Sequence, residues 1–248
     1  MAKKSAAKKE SSMPNMLLIA VGAVVLLLIF AGFLFLGKGA QTSTGGTQTT
    51  GGEEVSATQI SSCGKITQDS ILSADIVVTG KCFDIAADNV KLDCDGHKVK
   101  YSGSESVSGI LVDGKDGVTI SNCNLEGFAY GVSVLNGGNI HIKGNTITNA
   151  RVNGVKFYSV VGGEVSSNTI ASRGEGIYLF SSPSVSITGN TVTENNFGIK
   201  IEQSENVIIS SNTLCKNSEY DLSCDSPASG TGNKITKISC GGVQFSQC

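Results

Sequence analysis

The sequence contains no tryptophan, and only two histidines and three prolines occur among its 248 residues. Ser/His/Asp catalysis finds no support, since His97 and His141 are the only imidazoles and His141 has no evident partner. Phosphate-binding loops are excluded, because no run of the GxxxxGKS type occurs and the many glycines recur at regular intervals instead. The absence of any Asn-x-Ser/Thr sequon means that we expect no N-glycosylation.

Clustered positive charge is also missing from most of the chain. From Gln59 onward, 14 Lys and Arg stand against 18 Asp and Glu, and no basic run occurs among them. Proteins that bind nucleic acid neutralise phosphates with grouped Lys and Arg side chains. The sequence therefore predicts no nucleic-acid partner.

The one long apolar run lies near the N-terminus, at residues 16–36 (MLLIAVGAVVLLLIFAGFLFL). Its 21 uncharged residues are long enough, as a helix, to cross a hydrocarbon core of about 30 Å. Four lysines precede it and only Lys38 closely follows, so the positive-inside rule leaves the N-terminus in the cytoplasm. A cleaved signal peptide is the alternative, but its apolar core is usually about 7–15 residues long.

These features divide the chain into four parts. We predict a basic cytoplasmic tail at 1–15, a transmembrane signal anchor at 16–36, a flexible Gly/Thr/Ser linker at 37–58 and an exported domain at 59–248. The protein is thus expected to be a single-pass protein of the cell membrane, with its domain in the extracellular or periplasmic space.

All eight cysteines fall in the exported domain: Cys63, Cys82, Cys94, Cys123, Cys215, Cys224, Cys240 and Cys248. An even number, without CxxC spacing, in a compartment that permits disulfides favours four disulfides over a metal site. Spacing alone leaves the connectivity open. Joining near neighbours at each end of the domain predicts the pairs Cys63–Cys82, Cys94–Cys123, Cys215–Cys224 and Cys240–Cys248.

Two patterns recur through the domain with a period of 22 or 23 residues. Gly-apolar-x-apolar begins at Gly109, Gly131, Gly154, Gly176 and Gly198, and an apolar-x-apolar-x-x-Asn pattern ends at Asn145, Asn190 and Asn212, with a clipped copy at Asn168. Alternation of this kind is typical of strands, and a repeat this short buries its apolar face only by stacking on its neighbours. We predict an all-β fold, a single-stranded parallel β-helix of about seven turns, with the right hand that is typical of this fold class.

In such a coil, equivalent residues stack about 4.8 Å apart along the axis. The stack of Asn145, Asn168, Asn190 and Asn212 is therefore predicted to be an inward-facing structural ladder, in which each amide binds backbone and the Asn above and below.

The motif DNVKLDCDGHKV (88–99), the Gly-Ile-x-Val and Asn-Thr-Ile alternation and the late LCKNSEYDLSC and GTGNKI segments resemble the right-handed β-helix repeat family, which includes pectate-lyase-like folds. They most closely resemble membrane-anchored envelope proteins with a periplasmic copper-protein-maturation type β-helix domain. The resemblance implies saccharide binding along the outer face of one sheet. Its 88–99 motif places Asp95 on the Asn ladder and His97 inward, so we interpret these residues and Asp93 as a cap. We predict no metal and no cofactor.

The Gly-apolar-x-apolar strands define one outer face. Its first outward stack is Leu111, Ser133, Lys156, Tyr178 and Lys200, and its second is Asp113, Leu135, Tyr158, Phe180 and Glu202. An exposed apolar and aromatic patch often marks a contact site. We predict a glycan-binding face, the candidate face, made by Leu135, Lys156, Tyr158, Tyr178, Phe180 and Lys200. Two other interpretations stay open, namely that a loop covers the patch or that its aromatic rings only stiffen the sheet.

Catalysis on this face is a weaker prediction. A glycosidase needs two carboxyl groups roughly 5–9.5 Å apart, whereas Asp113 and Glu202, counted as the only carboxylates of the face, lie about 19 Å apart. A polysaccharide lyase finds suitable side chains in Lys156, Tyr178, Lys200, Arg151 and Arg173, without an acidic cluster for calcium. We therefore predict no catalytic residues and a non-catalytic envelope, glycan-binding or surface-interaction module. Its expected partner is a cell-surface polysaccharide or an envelope protein, and a lyase acting on an acidic glycan is the alternative.

Overall fold

Short alternating stretches with small or polar residues between them form strands rather than helices, and the computed structural model, which describes residues 56–248, contains 26 β-strands. No helix long and apolar enough to span a membrane occurs within this range. The predicted tail and anchor lie outside the described residues, as does the predicted linker up to residue 55. The first strand begins at Thr58, the last residue of that linker.

The strands are short throughout, and none exceeds six residues. At the N-terminal end lie β1 (Thr58–Ile60), β2 (Gly64–Ile66), β3 (Ser70–Leu72), β4 (Ile76–Val78), β5 (Phe83–Ile85), β6 (Lys91–Asp93) and β7 (Lys98–Tyr101). The middle contains β8 (Ser108–Asp113), β9 (Thr119–Ser121), β10 (Asn124–Glu126), β11 (Tyr130–Leu135), β12 (Gly138–Lys143), β13 (Thr146–Ala150), β14 (Asn153–Tyr158), β15 (Val161–Ser166), β16 (Thr169–Ser172), β17 (Glu175–Phe180), β18 (Val185–Thr188), β19 (Thr191–Val192), β20 (Phe197–Glu202), β21 (Ile208–Ser210) and β22 (Thr213–Leu214). The C-terminal end adds β23 (Tyr220–Cys224), β24 (Gly230–Ile235), β25 (Ile238–Ser239) and β26 (Val243–Ser246).

Three parallel sheets run the length of this domain. The first sheet contains β1, β3, β6, β9, β12, β15, β18 and β21, the second β2, β5, β8, β11, β14, β17, β20, β23 and β25, and the third β4, β7, β10, β13, β16, β19, β22, β24 and β26. Along the middle of the coil each strand pairs with the strand three positions later, so one turn of the chain visits every sheet once. The predicted all-β parallel coil is confirmed. It has about eight turns rather than seven. The first sheet contains eight strands, and in the second sheet β2 and β25 lie outside the seven strands that the sequence patterns aligned.

The core is the space between the three sheets, filled by one inward side chain after another. Val155, Ile170 and Ile187, one from each sheet, are fully buried, and Phe128 and Phe157 are among the largest enclosed side chains. Each such side chain contributes about 1.5–3 kcal/mol by leaving water. The apolar residues that alternate along the sequence are therefore the residues that fill this core.

The repeated glycine stands where the chain enters the second sheet. A Cβ on Gly154 would lie 2.4 Å from Cγ2 of Ile170 and 2.6 Å from the carbonyl oxygen of Gly176. No side chain fits at such distances, so the close approach of successive turns requires glycine at this position. This explains why the Gly-apolar-x-apolar pattern keeps its period.

The asparagine stack closes the corner between the first and third sheets. Oδ1 of Asn168 accepts hydrogen bonds from the backbone N–H and Nδ2 of Asn145, at 2.9 and 3.0 Å, and its own Nδ2 donates to the carbonyl of Ile142. Asn190 and Asn212 repeat this geometry, and all four stacked side chains are buried. Asn233 adds a further rung at the C-terminal end.

The two other corners contain shorter polar ladders that the sequence patterns did not reveal. Between the third and second sheets, Asn195 Oδ1 accepts from the backbone of Ser172, and Asn217 Oδ1 accepts in turn from Asn195. Between the second and first sheets, the Ser204 hydroxyl accepts from the backbone of Ser182. These ladders recur only over two or three turns, which is too few to register as a periodic signal.

At the N-terminal end the asparagine ladder continues as a disulfide. The backbone N–H of Cys123 donates to Asn145 Oδ1, and Cys123 is bonded to the buried Cys94 one turn earlier. The predictions that Asp95 occupies the ladder and that His97 points inward are wrong. Asp95 is exposed with φ +48°, and His97 is partly exposed with Nδ1 3.1 Å from Asp75. The turn between β6 and β7 is two residues longer than the turn between β9 and β10, so Cys94 takes the inward position.

All eight cysteines are paired. Cys63–Cys82 and Cys94–Cys123 are formed as predicted, but the C-terminal prediction is wrong, because the bonds are Cys215–Cys248 and Cys224–Cys240. Strand β23 is in register with β25, with Leu222 opposite Ile238, so the cysteines two residues later face each other. A pair only nine residues apart, as predicted for Cys215 and Cys224, would lie within a single turn. The tail instead adds β26 to the third sheet, parallel to β24, and Cys248 beyond it is bonded to Cys215.

Candidate functional site

The outer face of the second sheet has the register that the sequence patterns predict. One stack contains Leu111, Ser133, Lys156, Tyr178 and Lys200, and the next contains Asp113, Leu135, Tyr158, Phe180 and Glu202. The close approach of successive turns at each repeated glycine fixes this alignment, because it places the start of each strand directly above the start of the preceding one. Residues that are one period apart in sequence are therefore direct neighbours on the surface.

The second stack presents an open aromatic step. The rings of Tyr158 and Phe180 are nearly parallel, with an interplanar angle of 12° and centroids 5.0 Å apart. Tyr158 is 41% exposed, while Leu135 and Phe180 are half-buried beside it. No loop within residues 56–248 encloses the Tyr158 ring, so one aromatic surface remains available to a ligand.

A third stack lies at the position immediately before each repeated glycine, where exposure ranges from the buried Asn153 to the exposed Tyr220. The sequence patterns did not include it. Its members are Ser108, Tyr130, Asn153, Glu175, Phe197 and Tyr220. The Phe197 and Tyr220 rings are 6.1 Å apart and stacked, and Tyr220 is 39% exposed. An aromatic residue directly before the glycine, as at Tyr130 and Phe197, was the available signal.

Lys156 lies between two tyrosine rings. Its ammonium nitrogen is 5.4 Å from the ring centroid of Tyr130 and 5.3 Å from that of Tyr158. Cation–π contacts at this distance orient the ammonium and leave its N–H groups free to donate. Within the described range, no carboxylate lies within 4.0 Å of this nitrogen. We refer to Lys156, Tyr130 and Tyr158 as the Lys156 unit.

Lys200 occupies the same stack two turns later but has a carboxylate partner. Its ammonium is 3.0 Å from Glu202 Oε1, and the Tyr178 hydroxyl donates to Glu202 Oε2 at 2.6 Å. The ammonium also lies 5.8 Å from the Tyr178 ring and 5.4 Å from the Phe197 ring. Donation from Tyr178 and Lys200 holds the pKa of Glu202 below its ordinary value. We refer to Lys200, Tyr178, Phe197 and Glu202 as the Lys200 unit.

The side chains suited to lyase chemistry have other contacts. Burial and the Glu202 carboxylate raise the pKa of the Tyr178 hydroxyl, which therefore stays protonated at neutral pH and is a poor base. The Arg151 guanidinium donates to the carbonyls of Ser104 and Glu105 and lies 5.4 Å from the Tyr101 ring. Arg173 is exposed just before its strand.

The prediction that Asp113 and Glu202 are the only carboxylates of this face is wrong. Glu175 belongs to the third stack and accepts a hydrogen bond from Asn153, and Asp84 is in register with Leu111. Asp84 lies one turn and two residues from Asp113, roughly 8 Å between Cα atoms, which is compatible with a hydrolytic pair. Both have partners, because Asp84 is 2.9 Å from the Lys81 ammonium and Asp113 accepts from Asn136.

Metal-binding groups are scattered across the domain. Within residues 56–248, no three His, Cys, Asp or Glu side chains lie close enough together to hold a metal ion. Asp93 accepts hydrogen bonds from Asn122 and from the backbone of Asp95, while His97 contacts Asp75. An open groove of about 560 Å³ lies on the first sheet, lined by polar residues that include Lys91, Asp93 and Lys143.

Several solved structures are similar to this domain. They include the T265N mutant of the periplasmic alginate epimerase AlgG (14% identity over 72% of this chain and 46% of that chain, TM-score 0.39). They also include the enzymatically active domain of tailspike protein 2 of Bacteriophage CBA120 (12%, 73% and 41%, TM-score 0.39) and the Azotobacter vinelandii mannuronan C-5 epimerase AlgE4 A-module (13%, 73% and 72%, TM-score 0.34). The chain spans less than half the length of the first two. At these identities and TM-scores the similarities carry no inference about activity.

No curated protein sequence matches this chain. The sequence profile described as "Right handed beta helix region" matches residues 108–247, more than half of the chain, and the protein therefore belongs to the right-handed β-helix family.

Proposed function

We propose that the protein is a glycan-interacting module that binds polysaccharide on the outer face of its second sheet. The observation that carries the proposal is the exposed Tyr158–Phe180 step with the Lys156 ammonium beside it. The C–H faces of sugar rings pack on aromatic rings, and an exposed apolar patch rimmed by polar groups is typical of a contact surface. Stacks repeated about every 4.8 Å suit a polymeric ligand better than a compact one.

Binding without turnover is the form of this function that the contacts favour. The Tyr178 hydroxyl is protonated and donates to Glu202, and the Lys200 ammonium is paired with the same carboxylate. Neither group is free to remove a proton from a sugar. A cell-surface polysaccharide is the partner that this face favours, and an envelope protein is the second candidate.

We further propose that the module is held outside the cytoplasmic membrane. Residues 16–36 would form the anchor, with the N-terminus in the cytoplasm and the domain in the extracellular or periplasmic space. Four disulfides support an oxidising compartment. The motif at 88–99 supports placing the chain among the membrane-anchored envelope members of its family, near those with a copper-protein-maturation type domain.

The test is a binding measurement on the full 248-residue chain in detergent micelles, with its disulfides formed. Neutral and acidic polysaccharides are immobilised, and the chain is compared with a Tyr158→Ala/Phe180→Ala variant. Thr169→Ala/Thr191→Ala is the matched control, because these two exposed residues are stacked in the same way on the third sheet. We expect the first variant to lose at least about tenfold in affinity for one polysaccharide, or about 1.4 kcal/mol, and the control to lose nothing. Equal binding by all three chains would reject the candidate face.

The alternative is a polysaccharide lyase acting on an acidic glycan. It is supported by the placement of Lys156, Tyr178 and Lys200 on adjacent turns of a single stack. Any polysaccharide that binds should be incubated with the chain and assayed for unsaturated products and for new reducing ends. Unsaturated products that disappear in a Lys156→Met variant would establish the lyase. New reducing ends alone would direct attention to Asp84 and Asp113.

A further inference from the structure

The Lys156 and Lys200 units differ in one respect that bears on ligand chemistry. Both place a lysine ammonium between two aromatic rings, at 5.3 to 5.8 Å from the ring centroids. Their lysines belong to the same stack, with Tyr178 on the turn between them. Only the Lys200 unit contains a carboxylate, so it shows how a carboxylate is bound beside a lysine ammonium and a tyrosine hydroxyl on this face.

Glu202 is an internal example of a carboxylate bound by this type of site. One of its oxygens faces the Lys200 ammonium at 3.0 Å, and the other accepts from the Tyr178 hydroxyl at 2.6 Å. These donors lower the pKa of Glu202, which means that the site stabilises the ionised form. An ammonium held by aromatic rings together with a tyrosine hydroxyl is thus a demonstrated carboxylate-binding arrangement in this protein.

The Lys156 unit also combines a lysine ammonium with tyrosine hydroxyls, those of Tyr130 and Tyr158, and it contains no carboxylate. The position that Tyr178 occupies beside Lys200 is occupied by Ser133 beside Lys156. The strand of Lys156 has Tyr158 two residues after the lysine, where the strand of Lys200 has Glu202, and alternation keeps both on the outer face. The Lys156 ammonium and the hydroxyls of Tyr130 and Tyr158 make no hydrogen bond to any group within residues 56–248. The ammonium and the two hydroxyls are therefore available to a ligand acceptor.

We propose that the Lys156 unit is a carboxylate subsite, which binds the uronate group of an acidic glycan while a neighbouring sugar ring packs on Tyr158 and Phe180. This inference rests on the proposed glycan-binding function and adds the charge of the ligand and the place where that charge is recognised. The charge of Lys200 is neutralised by Glu202, so the Lys200 unit contacts uncharged parts of the glycan. The face accordingly holds one anionic subsite.

Net charge does not supply this specificity. Acidic residues outnumber basic ones from Gln59 onward, so long-range attraction does not draw a polyanion to the domain. Recognition has to come from the local contact, and a hydrogen bond to a charged group contributes about 1.5–3 kcal/mol. That contribution corresponds to roughly a tenfold to hundredfold difference in affinity.

The experiment compares two probes that differ only in charge, polygalacturonate and its fully methyl-esterified form. The full chain in detergent micelles is titrated with each, alongside the variants Lys156→Met, Lys156→Arg, Glu202→Gln and Tyr158→Ala/Phe180→Ala. Lys143→Met is the control, because Lys143 is an exposed lysine on the first sheet. Thermal unfolding of each variant verifies that it is folded.

We expect Lys156→Met to weaken polygalacturonate binding about tenfold or more, to leave binding of the ester unchanged, and to be rescued by Lys156→Arg. Glu202→Gln should strengthen polygalacturonate binding, since it frees Lys200 and Tyr178 for a second carboxylate. Lys143→Met should change neither affinity.

Equal losses for both probes in Lys156→Met, or no loss for either, would overturn the subsite. In that case loss of binding in the Tyr158→Ala/Phe180→Ala variant would still uphold the glycan-binding face. Failure of the unaltered chain to bind either these probes or any polysaccharide in the earlier screen would overturn both proposals together.

Discussion

The inner corners of the coil and the outer face of its second sheet follow opposite rules. At the corner of Asn145, Asn168 and Asn190, successive turns repeat one residue and one set of hydrogen bonds. On the outer face, the same stack changes from Lys156 to Tyr178 to Lys200 in two steps. Residues that repeat from turn to turn are therefore those that the stacking of turns requires. Residues that vary from turn to turn are those that determine what the surface can bind. Four substitutions test this division, from the largest expected effect to the smallest.

The largest effect should come from Asn168→Leu, which breaks the asparagine ladder in its middle. The substitution removes the bonds that the backbone N–H of Asn145 and the carbonyl of Ile142 make with Asn168 in a buried corner, and it leaves Asn145 Nδ2 with only the carbonyl of Ile120. Each such group costs about 1–3 kcal/mol, so we expect a loss of about 3–5 kcal/mol in the free energy of unfolding. Urea unfolding followed by circular dichroism measures it. Thr169→Ala, at the next residue but facing solvent, should change it by less than about 0.5 kcal/mol.

Removing the Cys215–Cys248 disulfide tests whether the ends of the coil depend on covalent bonds as the middle depends on ladders. The Cys215→Ala/Cys248→Ala variant should lose about 2–3 kcal/mol, since the bond closes a loop with a sequence separation of 33. Hydrogen exchange should rise first in β24 and β26, which lie at the C-terminal edge of the third sheet. Uniform exchange along the whole coil would instead show that the tail is not a separate cap.

Phe180→Ala should separate stability from recognition on the outer face. Its ring stacks on Tyr158 at 5.0 Å but is only half-buried, so the loss of stability should be about 1 kcal/mol. The loss of affinity for a bound polysaccharide should be proportionally much greater. A stability loss as large as that of Asn168→Leu would mean that the aromatic step belongs to the framework rather than to the ligand site.

The smallest effect concerns pH. Because the pKa of Glu202 is lowered in the folded protein, its contribution to stability is complete above the ordinary carboxyl value of 4.5 and is lost as pH falls through the lowered value. Glu202→Gln should therefore reduce the melting temperature slightly at pH 7, by the equivalent of roughly 0.5 kcal/mol for a partly exposed pair. The difference from the unaltered chain should vanish in strong acid. A difference that persists there would assign it to packing.

The sequence predicted well wherever a feature recurs over several turns. No Cβ can be accommodated at Gly154 or Gly176, so the spacing of these glycines in the sequence predicts the register of the second sheet. That register correctly predicted that Lys156 and Tyr178 are neighbours. Features with a single copy were predicted poorly. The longer turn before Lys98 displaced Asp95, and the terminal strand β26 brought Cys248 rather than Cys224 to Cys215.

The prediction of the candidate site was limited in the same way. Outward positions were identified from alternation, but side-chain contacts were not, because they depend on rotamers rather than on period. Glu202 was placed correctly on the face, yet its bonds to Lys200 and Tyr178 make it a neutralising group that the sequence could not reveal. Tyr130, one position outside the pattern, completes the environment of Lys156. Recognition chemistry here depends on neighbours one turn away.

The asparagine ladder also determines how such a protein can gain further turns when part of its gene is duplicated. Asn168 receives bonds from Asn145 before it and donates to Asn190 after it, so every internal turn has identical connections on both sides. A duplicated segment from 146 to 168 would insert one complete turn between existing ones and would find partners at both of its edges. The binding surface would lengthen by about 4.8 Å, and the end caps would be unchanged. Copying a segment is therefore a route by which this architecture can match polymers of different length, while point substitutions on the new turn supply their chemistry.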